Sequence, residues 1–296
     1  MSALSSLSPE LHPAGSTLLF GVDFTSAPRR GKPITAAVAT APEPGQTLAL
    51  QAILRFDSHA AWAEWLATPG PWVGGFDLPF SLPRVFIEHL GWLDPDARTT
   101  DWEQATARLA ALTRPELIAA CRAWCDARPA GQKFAHRATD LGAGSSSSMK
   151  WVNPPVALML HAGAPALMQA GLTLPGRLAD PLRVALEAYP GMPARAVLGR
   201  ASYKSDDPGR RHCPERRAAR ARLLAALQAG DLGVRVGLGD WAQACLDDPG
   251  ADLLDAVLCL VQAHQAWAAR GQGWALPARI DPLEGWIIGA PQHAAP

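Results

Sequence analysis

Three apolar runs in this chain each end on a carboxylate: Gly21-Val22-Asp23, Gly74-Gly75-Phe76-Asp77 and Val184-Ala185-Leu186-Glu187. A charge at the end of a buried strand costs several kcal/mol, on the order of 2–7, unless it is paired, solvated or bound to a cation. A fold that repeats this arrangement must bring the strand ends to a place where the charges are answered. Each acid also has a structural explanation. Asp23 can cap a turn. The two glycines before Asp77 can mark a bulge or the close approach of another backbone or a ligand. Glu187, a poor strand former, can pair with an arginine such as Arg183 or Arg195.

A fourth acid, Asp255, lies inside an apolar helical segment. Spacing there puts Asp252, Asp255, Cys259 and Gln262 on one stripe, apart from Leu254, Leu258 and Val261. Asp252 is placed to act as the N-cap, whereas Asp255 is too far into the helix for that role.

The elements around these acids define the fold class. Alternation and turn residues predict strands over 17–23, 33–40 and 48–55, arranged as two hairpins. Ser58 caps a helix over 60–67, and a strand follows over 72–76. Helices are expected over 102–112, 115–125 and 154–171, with a polar Gly/Ser stretch before the last. A strand over 182–187 precedes helices over 215–229, 240–247 and 252–270, and a last strand is expected over 285–288. Early hairpins followed by alternating strands and helices imply an α/β chain with a mixed sheet covered by helices on both faces. The segment 94–180 reads as a helical insertion within a single domain spanning 1–296.

Composition narrows the function classes. With 48% hydrophobic and 18% charged residues the chain is an ordinary globular one. Its 27 basic and 27 acidic side chains cancel, so nucleic-acid contact must come from a local patch. No apolar run approaches the ~20 residues needed to cross a bilayer, and 1–17 lacks a secretory pattern, so a cytoplasmic protein is expected. Five scattered cysteines without Cys-x-x-Cys suggest reduced thiols and no zinc site, with Cys121 and Cys125 packing on one helix face. Trp62, Trp65, Trp124 and Trp267 fall in helices, where core packing is their usual role.

Oxygen-only ligands suit Mg²⁺ or Mn²⁺, and two such ions about 4 Å apart would activate water and stabilise the leaving oxygen of a phosphodiester. The order strand-Asp, strand-Asp, strand-Glu, helix-Asp after three opening strands is similar to the ribonuclease H-like fold. The chain more closely resembles the bacterial family catalogued as domain of unknown function 429, whose members are predicted nucleases of that fold. The resemblance rests on Gly-Val-Asp23, Phe76-Asp77-Leu78-Pro79, Arg137-Ala-Thr-Asp140, Glu187-Ala-Tyr-Pro190, Leu-Asp255-Ala-Val and Glu284-Gly-Trp-Ile, and spans nearly the whole chain. It implies three antiparallel N-terminal strands, then parallel strands, flanked by helices. It also implies that Asp23, Asp77, Glu187 and Asp255 are metal ligands. The neutral charge and the insertion depart from the family pattern, and substrate choice is expected to reside in the insertion.

Three functions follow as expectations. The first is a Mg²⁺- or Mn²⁺-dependent nuclease acting on DNA or RNA, with Lys150 or Lys204 neutralising developing charge. The second is a nucleotide-binding or phosphotransfer protein of the actin and sugar-kinase type, which Gly21 to Ser26 permits but which lacks further Gly-rich phosphate loops. The third is a catalytically silent scaffold. Lys133, His136, Arg137 and Lys150 around the serine-rich loop could form a phosphate-seeking lid or merely a solvated linker. Arg210, Arg211, Arg216, Arg217, Arg220 and Arg222 could track a phosphate backbone or simply coat a surface helix.

Overall fold

The computed structural model describes residues 15–174, 182–205, 207, 209 and 212–292. The N-terminal segment 1–17, read above for a secretory pattern, lies outside these residues apart from 15–17. The end of the expected insertion at Asp180, together with Arg210 and Arg211 of the basic cluster, lies outside them as well.

The framework is a five-stranded mixed sheet. β1 (Leu18–Asp23) pairs antiparallel with β2 (Ile34–Thr40). The expected strand over 48–55 breaks in two. β3 (Leu48–Ala49) leaves the main sheet, while β4 (Ala52–Phe56) pairs antiparallel with β2. β5 (Trp72–Asp77) and β6 (Arg183–Glu187) then add in parallel on the other side of β1, giving the order β4-β2-β1-β5-β6. The break arises because Leu48 and Leu50 are buried in a different layer, where β3 meets β7 (Val236–Gly237) in parallel. The final strand expected over 285–288 is absent. Only Ile287 bridges to Glu187, and positive φ at Gly285 and Gly289 turns the chain away on either side.

Helices cover both faces. On one side lie α1 (His59–Leu66), α2 (Arg84–His89), α3 (Asp101–Ala111), α4 (Arg114–Asp126) and α6 (Val156–Gln169), with the short α5 (Ala138–Ala143) toward the chain's C-terminal segment. Ser58 caps α1 by accepting from the Ala61 N–H at 3.1 Å, as its sequence position predicts. Thr100 and Thr113 cap α3 and α4 through reciprocal bonds with Glu103 and Glu116. These helices share one core with β-strand residues Phe20, Val22 and Phe76, so the segment beginning at 94 is built onto the sheet. Trp62, Trp65 and Trp102 are buried there, as are Cys121 and Cys125.

The other face carries α7 (Gly191–Leu198), α8 (Pro214–Ala229), α9 (Trp241–Asp247) and α10 (Asp252–Ala268). α10 lies directly on the strands. A Cβ on Gly21 would stand 2.0 Å from the Leu260 amide nitrogen, and one on Gly75 would stand 2.7 Å from the Cys259 carbonyl oxygen. Those two glycines let the helix backbone touch the sheet and set how far its N-terminal turn reaches toward the strand ends. Gly21→Ala is therefore expected to destabilise the protein by about 3 kcal/mol, the upper range for overpacking, because backbone rather than a flexible side chain must move. Chemical denaturation checks this: an unchanged midpoint would mean that α10 does not pack so closely.

Candidate functional site

Parallel pairing places Asp23 opposite Asp77 at the carboxyl ends of β1 and β5. Neighbouring strands lie ~4.8 Å apart, and partners in register point to the same face. The shared face is that of α10, since Gly21 and Gly75, two residues earlier on each strand, abut that helix. Asp255, in the first turns of α10, comes down onto the same strand ends. The carboxyl edge of a parallel region is where open α/β sheets bind ligands.

The sheet's alternation sends Glu187 elsewhere. It lies opposite Phe76 rather than Asp77, so it projects into the other layer, while Leu186 packs on the α10 side. There Arg137 donates to both of its oxygens, at 2.6 and 2.8 Å, and also to Asp140 at 2.8 Å. All three side chains are almost wholly inaccessible. Glu187 does have an arginine partner, but it is Arg137 and not Arg183 or Arg195. Burial alone would lower the Arg137 guanidinium, and the charges of Asp140 and Glu187 outweigh that and raise it. Glu187 also accepts from the Phe80 N–H at 3.1 Å, which fixes the chain just beyond Asp77.

Asp23, Asp77 and Asp255 differ in how they are partnered. Both oxygens of the wholly buried Asp255 are taken: Tyr203 donates its hydroxyl to Oδ1 at 2.6 Å, and the Lys204 ammonium pairs with Oδ2. Asp23 is only 8% exposed, yet neither its carboxylate nor that of Asp77 has a hydrogen bond or ion pair among the described residues, and their oxygens reach solvent. Burial, then the charges of Asp252 and Asp255, holds the Asp23 carboxyl well above the usual range, with Lys204 opposing and Asp77 adding to the rise. Burial pushes Asp77 up to about 7, with Lys204 opposing and Asp255 and Glu187 reinforcing the rise. Beneath them, burial and the same carboxylates keep the Cys259 thiol well above its ordinary value.

Asp252 is not the N-cap of α10. Ala251, at φ 61°, holds that position, and Asp248 accepts from the Leu253 N–H at 3.0 Å. Asp252 is left free to add its charge beside Asp23, although Lys32 partly answers it.

The basic residues singled out from the sequence divide sharply. Lys204 faces the carboxylates. Lys150 makes no hydrogen bond or ion pair through its ammonium among the described residues, and it is absent from the leading charges that shift Asp23 or Asp77. Arg137 is buried in its ion pairs and is no lid cation, and Ser147 and Ser148 of the serine-rich stretch are buried rather than solvated. The arginines of α8 are spent internally. Arg220 donates to the Tyr203 and Leu246 carbonyls at 2.9 Å, Arg216 to the Lys204 carbonyl at 3.1 Å, Arg222 to the Val197 carbonyl at 3.2 Å, and Arg217 pairs with Asp247 at 2.9 Å.

Tyr203 has no role in the sequence because its partner Asp255 is 52 residues away, and Arg137, expected as a lid cation, pairs instead with Glu187, 50 residues away. The one local signal was the Arg137-Ala-Thr-Asp140 spacing, which places the two side chains together as a helix begins. A separate hollow of about 300 Å³, lined by Trp92, Gln104 and Arg108, contains none of these carboxylates.

No group of three or more Asp, Glu, His or Cys among the described residues is disposed to chelate a metal ion. Mg²⁺ keeps several waters and commonly binds through only one or two carboxylates. The unpartnered Asp23–Asp77 pair, with hard oxygen donors that reach solvent, fits that smaller requirement. No helix of the described residues is long and apolar enough to cross a membrane.

A family model described as "Protein of unknown function (DUF429)" matches residues 21–281, a span that holds Asp23, Asp77, Asp140, Glu187, Asp252 and Asp255. No curated protein and no solved structure matches the chain.

Proposed function

This chain belongs to the DUF429 family, and from that premise we propose that it is a Mg²⁺- or Mn²⁺-dependent phosphodiesterase, a nuclease built on a ribonuclease H-like sheet. The observation that carries this reading is the pair of register-matched carboxylates, the buried Asp23 and the half-buried Asp77, left without a protein partner at the carboxyl edge of a mixed sheet. The strand order, antiparallel on one side of β1 and parallel on the other, supports the choice of scaffold.

Two adjacent carboxylates repel, and here burial raises both. A hard divalent cation would relieve that repulsion and, when bound, would supply an activated water and charge for a phosphoryl oxygen. Asp23 and Asp77 would hold it. Lys204 would neutralise charge developing on the phosphate, and Tyr203 would keep Asp255, and through it Lys204, in place. Glu187 would contribute by fixing the turn after Asp77 through the Phe80 amide. The substrate in this reading is DNA or RNA.

Thermal unfolding with and without millimolar Mg²⁺ or Mn²⁺ tests the site, since binding to the folded state raises stability by mass action. Wild type is expected to gain stability and Asp77→Asn to lose that gain. With Mn²⁺ and a labelled oligonucleotide, Asp23→Asn is expected to cut hydrolysis by at least ~100-fold while remaining folded. Equal cleavage by wild type and variant would overturn the proposal.

A further inference from the structure

We infer that this site takes a single divalent cation, because the Lys204 ammonium holds the place a second cation would need beside Asp255. The inference rests on the phosphodiesterase reading and replaces the two-ion arrangement expected from the acids alone.

The carboxylates sort into two kinds. Asp23 and Asp77 are free to ligate. Each oxygen of Asp255 already has a partner: Tyr203 takes one and Lys204 the other. A metal on Asp255 would have to evict a full positive charge from a carboxylate with no solvent exposure, and the displaced ammonium would then crowd the incoming ion. The cheaper arrangement keeps the ammonium where it is. One ion then binds at Asp23 and Asp77, with waters filling its remaining positions.

Lys204 is also held there by design of the surrounding chain. Its backbone carbonyl accepts from Arg216 Nε at 3.1 Å and from the Ser202 hydroxyl at 2.7 Å. The carbonyl of the preceding Tyr203 accepts from the buried Arg220 at 2.9 Å. α8 therefore clamps the two residues that engage Asp255's two oxygens. A lysine that merely found the nearest acid would not need this support. Its side chain keeps 42% exposure, so the stem reaches in from the surface and the ammonium lies where a substrate phosphate could also approach. One dication and one ammonium offset the three carboxylates Asp23, Asp77 and Asp255, and Lys32 partly offsets the neighbouring Asp252.

The test is Mn²⁺ binding by isothermal titration calorimetry on the full chain, followed by thermal unfolding of the same samples. Wild type is expected to bind about one Mn²⁺ per chain, a Mg²⁺-like stoichiometry for two free carboxylates. Lys204→Met keeps the stem but frees Asp255, so it should bind about two and show a larger Mn²⁺-dependent rise in melting temperature than wild type. Lys204→Arg restores a positive charge and should return the stoichiometry to about one; circular dichroism establishes that both variants are folded. Two ions in wild type would overturn this inference and leave the metal-dependent reading standing. One ion in Lys204→Met would equally overturn the role given to Lys204. No binding by wild type would overturn the metal-dependent reading itself, and this inference with it.

Discussion

Arg137→Met is expected to cost about 3–5 kcal/mol of folding stability, the range for breaking a buried ion pair by removing one partner. Arg137 is 1% exposed and spreads its guanidinium over Glu187, Asp140 and the Glu284 carbonyl. Methionine fills much of the volume but leaves two buried carboxylates facing each other without a cation. Arg137→Lys should not rescue the loss, because a single ammonium cannot reproduce the paired donors that bridge both acids. His136→Ala, one residue away but exposed, should change stability by less than ~0.5 kcal/mol. Urea denaturation compares the three, and a midpoint for Arg137→Met close to wild type would show that the triad carries little energy. The same substitution should also reduce cleavage. Glu187 holds the Phe80 amide and Ile288 donates its amide to the Glu187 carbonyl, so the loop leaving Asp77 depends on this triad.

The different fates of Asp77 and Glu187 explain what was legible in the sequence. Both end short apolar strands, and that much is a local pattern. Which layer each acid enters depends on strand register, and register is a relation between segments more than 100 residues apart. The sequence therefore marks the acids but cannot sort Glu187, facing Arg137, from Asp77, facing α10. Strand and helix positions were read well wherever periodicity was strong, as in β1, α8 and α10. They failed where tertiary packing overrode it. The run 48–55 is continuous in character, yet its first residues serve a second small sheet. The apolar stretch 285–288 makes only one bridge because glycines at positive φ bend it.

The arginines of α8 teach a related lesson about charge. As a string they form the densest basic cluster in the chain, and a dense cluster suggests a phosphate-binding surface. In three dimensions Arg216 and Arg220 turn inward and spend their donors on the carbonyls of Tyr203 and Lys204. Their contribution to the site is geometric. They set the position of one lysine, and that lysine determines how much positive charge the carboxylates can accept from outside.

That limit should be visible in how stability depends on pH. In the metal-free protein burial pushes the Asp77 carboxyl up to about 7, against about 4 for a carboxylate in the unfolded chain. Between those values the folded state keeps a proton that the unfolded chain has released, so raising the pH favours unfolding. The contribution is fully present below about pH 4, falls through the interval and levels off above about pH 7. A three-unit gap corresponds to ~4 kcal/mol, and because Asp77 is only partly buried, solvent screening trims the expected loss to about 2–3 kcal/mol. Asp23, also raised, acts with the same sign. Urea unfolding from pH 5 to pH 8 in chelator should therefore show a decline in wild type that Asp77→Asn lacks, the difference cancelling the titration of unrelated groups. Saturating Mn²⁺ should abolish the decline, since the ion selects the ionised carboxylates that folding alone disfavours. A parallel pH dependence in the two proteins would mean that Asp77 is already neutralised by its neighbours and that no dication is needed to stabilise the pair.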